Sequence, residues 1–285
     1  MSLRFVFGLI IALIAGVDRL DARSCVWKVT SPAGGTLYLA GSWHALRSRD
    51  YPLPAAFKTA FEASSNLAFE ISPNDLHNSG RALENAGTYP RGDSLKKHVS
   101  PITYNVLQVT LGFANVPDEK FSRYRPWYLV LALESPGVRG MSGKLGIERH
   151  FEQRSAAASK PVTGLETLRE HVEVFSGLSD RASEALLLHS FTPEDDPRST
   201  FAMLMNAWRK GDAESLASIT RYNLRTLPGM ADRLLSNRNR NWIPKIEGYL
   251  GSGKTYFVVV GAAHMGGTDG VLALLKARGY RIEQM

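Results

Sequence analysis

Cysteine is nearly absent: Cys25 is the single one among 285 residues, so no internal disulfide can form and stability must come from a packed core. Long apolar runs are missing too. The one conspicuous stretch, Phe5 to Val17, has 13 residues, whereas a membrane-spanning helix needs roughly 20. No stable membrane span is therefore expected. The net charge of +7 comes from scattered Lys and Arg with no nucleic-acid motif among them. It implies screened attraction to anionic surfaces and no nucleic-acid partner. Tandem repeats are absent, and neither Ser142 nor Ser252 lies in a strand-elbow nucleophile pattern, which disfavours a serine hydrolase. With 44% hydrophobic and 21% charged residues, no segment is biased enough to stay disordered.

What is present begins with an export signature. Arg4 precedes the apolar run, and Ala22-Arg23-Ser24 fits a small-x-small cleavage site. The reading is a signal peptide over 1–24 and a periplasmic or secreted mature chain of roughly 260 residues, enough for one large core and marginal for two. Cys25 raises the question of lipoprotein processing, but Ala22 and Arg23 match a lipid-attachment pattern poorly, so soluble release is expected.

Val26 to Thr30 and Thr36 to Ala40 flank the turn Ser31-Pro32-Ala33-Gly34-Gly35 and read as a β-hairpin. The second strand runs into Gly41-Ser42-Trp43-His44. Pro52-Leu53-Pro54 then opens a helix with Phe57, Ala60 and Phe61 at i, i+3, i+4, followed by the apolar run Leu67-Ala68-Phe69-Glu70-Ile71. Strand, turn, helix, strand begins a βαβ unit. Residues 73–250 are mainly helical, interrupted by a short strand near Lys160 to Gly164, and constitute an insertion. β structure returns with Thr255 to Val260, reaching Gly261-Ala262-Ala263-His264. A last helix is expected over Thr268 to Ala277, with Tyr280 to Glu283 as an edge strand. The expected fold is α/β, a central mixed sheet from the N- and C-terminal segments carrying a large helical insertion, all within one domain over 25–285.

In open α/β sheets, ligands bind beyond the carboxyl ends of the strands. His44, Glu70 and His264 each follow such an end, and Gly41 and Gly261 remove side chains where the backbone must bend or approach another group closely. If the strands are neighbours, two imidazoles and a carboxylate share one mouth. That set suits Zn, Mn, Fe or Co and an activated water; without metal, one His could act as general base with Glu70 orienting it. The residues leave both readings open. Against them stands the plainer one, that a loop histidine is solvated and a strand-end carboxylate caps a helix.

Tyr38 to His44, Tyr51-Pro52-Leu53-Pro54 and Leu67 to Ile71 resemble the opening of the TraB/GumN family, which includes the Tiki metalloproteases. Further matches are Arg125-Pro126-Trp127, Gly146-Ile147-Glu148, Lys160 to Thr167, Ala207 to Asp212, Arg238 to Trp242 and Phe257 to Gly267. The resemblance implies a core similar to erythromycin esterase and ChaN-like proteins. It also implies a centre formed by His44, Glu70 and His264, acting in catalysis or holding one divalent transition metal. Arg238, Asn239 and Glu166 are expected to hold substrate or orient that centre. Trp43 stands where the family more often has a smaller aliphatic, Glu148 where Asp is usual, and His171 where Gln is usual.

Gly248 to Thr255 matches the phosphate-loop pattern letter for letter. That mechanism needs a strand before the loop and a helix after it; here a helix precedes and a strand follows, so no nucleotide is expected. The function implied is an exported metal-dependent hydrolase, a peptidase among the candidates. The alternatives are a non-catalytic envelope protein capturing a peptide or glycan in the same cleft, consistent with family names drawn partly from polysaccharide gene clusters, and a purely structural envelope component.

Overall fold

The computed structural model describes residues 23–133, 140–191 and 197–285; residues 1–22 of the expected export signal lie outside these. The sheet has six strands: β1 (Val26–Thr30), β2 (Thr36–Ser42), β3 (Asn66–Phe69), β4 (Val162–Gly164), β5 (Tyr256–Gly261) and β6 (Arg281–Gln284), in the order β4-β3-β5-β2-β1-β6. β5 is parallel to both β2 and β3, and β3 is parallel to β4, while β1 and β6 are antiparallel additions at one side.

Sequence explains the placement. β3 and the interior of β5 are buried throughout, as strands covered on both faces by helices must be. β1 and the start of β2, toward the hairpin turn, alternate more, while the end of β2 is buried throughout. The fold is the expected α/β class with the expected hairpin, and two details differ. The sixth strand, β4, comes from inside the mainly helical stretch, so the sheet is not built from the chain ends alone. The last helix is Val271–Lys276, starting later than Thr268 because the chain turns tightly through Gly266 to Gly270 before it can wind.

Two hydrophobic clusters fill the molecule. One joins the sheet to the helices over it: Phe57 and Phe61 of Ala55–Glu62, Phe151 of Ile147–Ala157, Trp208 of Pro197–Arg209, and Trp242, Ile243 and Ile246 of Asn237–Gly251. Phe151 packs edge-on to Phe257 of β5 with ring centres 5.0 Å apart. Cys25 is buried here, and burial pushes its thiol up to about 12. The other cluster is wholly helical, with Trp127, Leu107, Leu187 and Met230 in its centre. Helix Asn237–Gly251 precedes β5 across residues 252–255, the reverse of a phosphate loop. No helix among the described residues is long and apolar enough to cross a membrane.

Candidate functional site

The strand register builds the site. Ser42 of β2 pairs with Gly261 of β5, so the two Gly-x-x-His turns leave the sheet side by side. Phe69 of β3 pairs with Gly164 of β4, and the ladder continues one step further, with the Glu166 amide donating to the Glu70 carbonyl at 2.8 Å. Glu70 and Glu166 are thereby set next to each other beyond the same sheet end. Helix Asn237–Gly251 crosses above them, entered through a single π turn, Asp232–Ser236, a distortion common where helices carry functional groups. It brings Arg238, Asn239 and Trp242 down onto the strand ends.

Both glycines stand at close approaches. A Cβ on Gly41 would lie 3.0 Å from Cα and Cβ of Ala262, so only a bare backbone lets β2 pass the turn that carries His264. Trp208 holds this spot, its indole N–H donating to the Gly41 carbonyl at 2.9 Å. A Cβ on Gly261 would sit among Glu70 Oε1 at 3.2 Å, His264 Cδ2 at 3.4 Å and His44 Nε2 at 3.8 Å. The three residues expected to meet do meet, around this one glycine.

Each histidine is held by its Nδ1. His264 Nδ1–H donates to Asn239 Oδ1 at 2.6 Å, and the Asn239 amide is oriented by donating to the Asp269 carbonyl at 2.9 Å. His44 Nδ1–H donates to Glu148 Oε1 at 2.8 Å, and Ser42 Oγ bonds the same oxygen. Asn239 assigns the tautomer of His264, whose Nε2 keeps its lone pair, and Glu148 fixes the ring of His44 through Nδ1. His264 is buried against the Trp242 ring, 4.5 Å between centres, whereas the His44 side chain is 74% exposed at the cleft mouth. Burial drives His264 down to about 4, so it is neutral at pH 7; the Glu148 carboxylate raises His44 to about 9, so without an ion its ring is protonated at pH 7.

Arg238 is the electrostatic centre. Its Nη2 bonds Glu70 and reaches Glu166 Oε1 at 2.6 Å, its Nε donates to Glu166 Oε2 at 3.0 Å, and its Nη1 donates to His264 Nε2 at 3.2 Å. Burial alone would favour protonated Glu70. Arg238, the histidines and the Gly261 amide at 2.8 Å outweigh it and hold Glu70 well below the ordinary carboxylate range. Glu166, which also accepts from His171 Nδ1 at 2.8 Å and Trp242 Nε1 at 3.2 Å, is lowered in the same way. Glu166 and Asn239, 6% and 1% exposed, turn toward Arg238 and His264 rather than toward solvent.

Among the described residues, one set of histidine and carboxylate ligand atoms comes close enough to hold an ion as placed. Ligand atoms of Glu70, Glu166 and His171 lie within 4.8 Å of one another, but the Arg238 guanidinium already bonds both carboxylates and supplies the cation that they require. The expected set is looser: His264 Nε2 and Glu70 Oε1 are 3.9 Å apart, and His44 does not lie within 4.8 Å of both. Two imidazoles backed at Nδ1 and one ionised carboxylate are the donor types of a transition-metal site; Arg238 occupies the His264 Nε2 lone pair and one Glu70 oxygen here too, so its guanidinium would have to draw back from them for an ion to bind. A cleft of about 360 Å³ opens beside them, reaching His44, Glu70, Glu148 and His171. Sequence reasoning missed Glu148 as the support of His44. Its place two residues after Gly146, in the first turn of a helix, was visible; its reach to His44 depends on the fold.

A model of the TraB/PrgY/gumN family matches residues 25–284. Among curated proteins, metalloprotease TIKI2 of Danio rerio is 22% identical over 325 aligned positions, covering 94% of this chain and 62% of the relative. The chain thus spans less than two thirds of that relative's length. No solved structure matches significantly. With its match running almost from one end of the sheet-forming chain to the other, the protein belongs to the TraB/PrgY/gumN family.

Proposed function

We propose that the protein is a metal-dependent hydrolase acting on peptide bonds, exported by its N-terminal segment and released. The observation that carries this reading is the arrangement around Gly261: two imidazoles backed at Nδ1 and one ionised carboxylate, at the edge of an open cleft. The name of the TIKI2 relative, a metalloprotease, points the same way. Burial of Cys25 supports release over lipid attachment.

His44, His264 and Glu70 would hold the ion. When bound, it would lower the pKa of a water and polarise a substrate carbonyl. The chain's own residues perform the rest. Asn239 and Glu148 fix ring orientation; His264 presents a neutral Nε2, and His44 would give up its Nε2 proton on binding the ion. Arg238 and Glu166 form a neutralising pair behind Glu70, so that Glu70 stays ionised although shielded from solvent. Trp242 and the sheet end exclude water from the rear of His264.

The test is metal content by mass spectrometry together with hydrolysis of an unfolded protein substrate, comparing wild type with His44→Ala. The exposed His44 can be truncated without disturbing the core. A near-stoichiometric transition metal in wild type, lost with activity in the variant, is expected. Equal metal in both would remove the basis of the proposal.

A further inference from the structure

The cleft beside the centre has two unlike walls. One comes from the end of β3 and the first turn of helix Pro73–Gly87: Phe69, Ile71, Pro73 and Leu76. Leu76 is 42% exposed, a large aliphatic side chain left in the opening with no core partner to explain it. The facing wall is helix Ile147–Ala157, whose Glu148, Arg149 and Glu152 share one face at i, i+1, i+4 spacing. Across the cleft, His77 Nε2 lies 3.3 Å from Glu152 Oε1, and Arg149 Nη1 donates to Glu152 Oε2 at 2.6 Å. This charged cluster ties the two helices together, so the apolar wall is held in place at a set distance from His44 and Glu70.

We infer that this wall is the specificity subsite for an extended peptide carrying a large aliphatic or aromatic side chain next to the bond positioned over His44 and Glu70. The inference rests on the hydrolase reading above and adds the class of substrate. Removing a leucine-sized side chain from water favours binding, and pockets of this kind discriminate by about 10- to 100-fold between such a residue and a polar one. The facing Arg149 guanidinium, 42% exposed in its side chain, is placed to donate to backbone carbonyls. A glycan is disfavoured by the same lining. Among the described residues around the cleft there is no Trp or Tyr to stack on a sugar face, and hydroxyls pressed against the Phe69 and Leu76 wall would lose their partners in water.

The test is fluorescence polarisation with full-length mature protein and labelled pentapeptides, acetyl-Gly-Gly-X-Gly-Gly-amide. The amide after X is replaced by a ketomethylene so that binding is read without turnover. With X as Leu or Phe, binding at least 10-fold tighter than with Ser or Glu is expected. Leu76→Ser should erase that preference while keeping wild-type metal content. Val109→Ser, a comparably exposed apolar residue on helix Pro101–Phe113, should leave it intact. Equal affinity for all X, no peptide binding, tighter binding of cellohexaose, or an unchanged preference in Leu76→Ser overturns the inference. Metal content is measured on the same samples, so absence of metal would count against the hydrolase reading separately from the binding preference.

Discussion

Replacing Arg238 by alanine should expose the electrostatic design of the site. In the wild type this guanidinium bonds Glu70 and Glu166 together, both side chains being at most 12% exposed, and stacks over Trp242 at 4.8 Å. Its removal leaves two neighbouring carboxylates shielded from water. Breaking a buried ion pair by deleting one partner costs about 3–5 kcal/mol, which for a chain of this size lowers Tm by about 6–20 °C. The penalty must depend on pH. Wild-type Glu70 has a depressed folded-state pKa, so it contributes stability above its unfolded value near 4.3, lost as pH falls through the folded value. In Arg238→Ala that depression is gone, both carboxylates take up protons readily on acidification, and the gap between variant and wild type should narrow from pH 7 to pH 4. Urea unfolding at both pH values, with chelator present to keep metal out of the comparison, measures it. A cost under about 1 kcal/mol at pH 7, or one equal at the two pH values, would show that the cluster is not held by Arg238.

Three further outcomes are expected. Asn239→Leu removes the acceptor that orients His264 and should weaken metal affinity by about 10- to 100-fold, read by competition with a chromogenic chelator; unchanged affinity would mean that His264 is no ligand. Gly261→Ala puts a methyl among Glu70, His264 and His44, and should cut metal affinity and activity sharply while the thermal transition moves by only a few degrees; a fully active variant contradicts the convergence described. His98 donates to Asp180 and Asp93 at 2.8 and 2.9 Å, and these carboxylates raise its pKa. Its contribution is complete below the unfolded value near 6.5 and is lost as pH rises through the folded value. His98→Gln should therefore flatten the decline in stability on the alkaline side, and an identical slope in variant and wild type would refute this.

Much of the architecture was legible in the chain because local rules act at short range. The hairpin was marked by β-branched and aromatic residues around a Pro/Gly turn, helix Ala55–Glu62 by the spacing of Phe57, Ala60 and Phe61, and β5 by an unbroken apolar run. The late start of helix Val271–Lys276 was not legible, because helical periodicity does not reveal that a glycine-rich turn has already consumed the preceding residues. Strand order was equally hidden: β5 enters between β2 and β3 although more than 180 residues separate it from either, and hydrophobic pattern carries no information on which buried strand neighbours which.

The site divides along the same line. Residue type and position after a strand end made His44, Glu70 and His264 candidates, and the family resemblance put the three forward as one centre. Only the tertiary structure could decide which nitrogen each imidazole presents, that Glu148 and not Glu70 supports His44, and that Arg238 clasps Glu70 and Glu166 in one cluster. Those outcomes depend on hydrogen bonds and charges a few ångströms apart in space but scores of residues apart in sequence. Their energies exist only once the sheet has brought the partners together and the helices have excluded water.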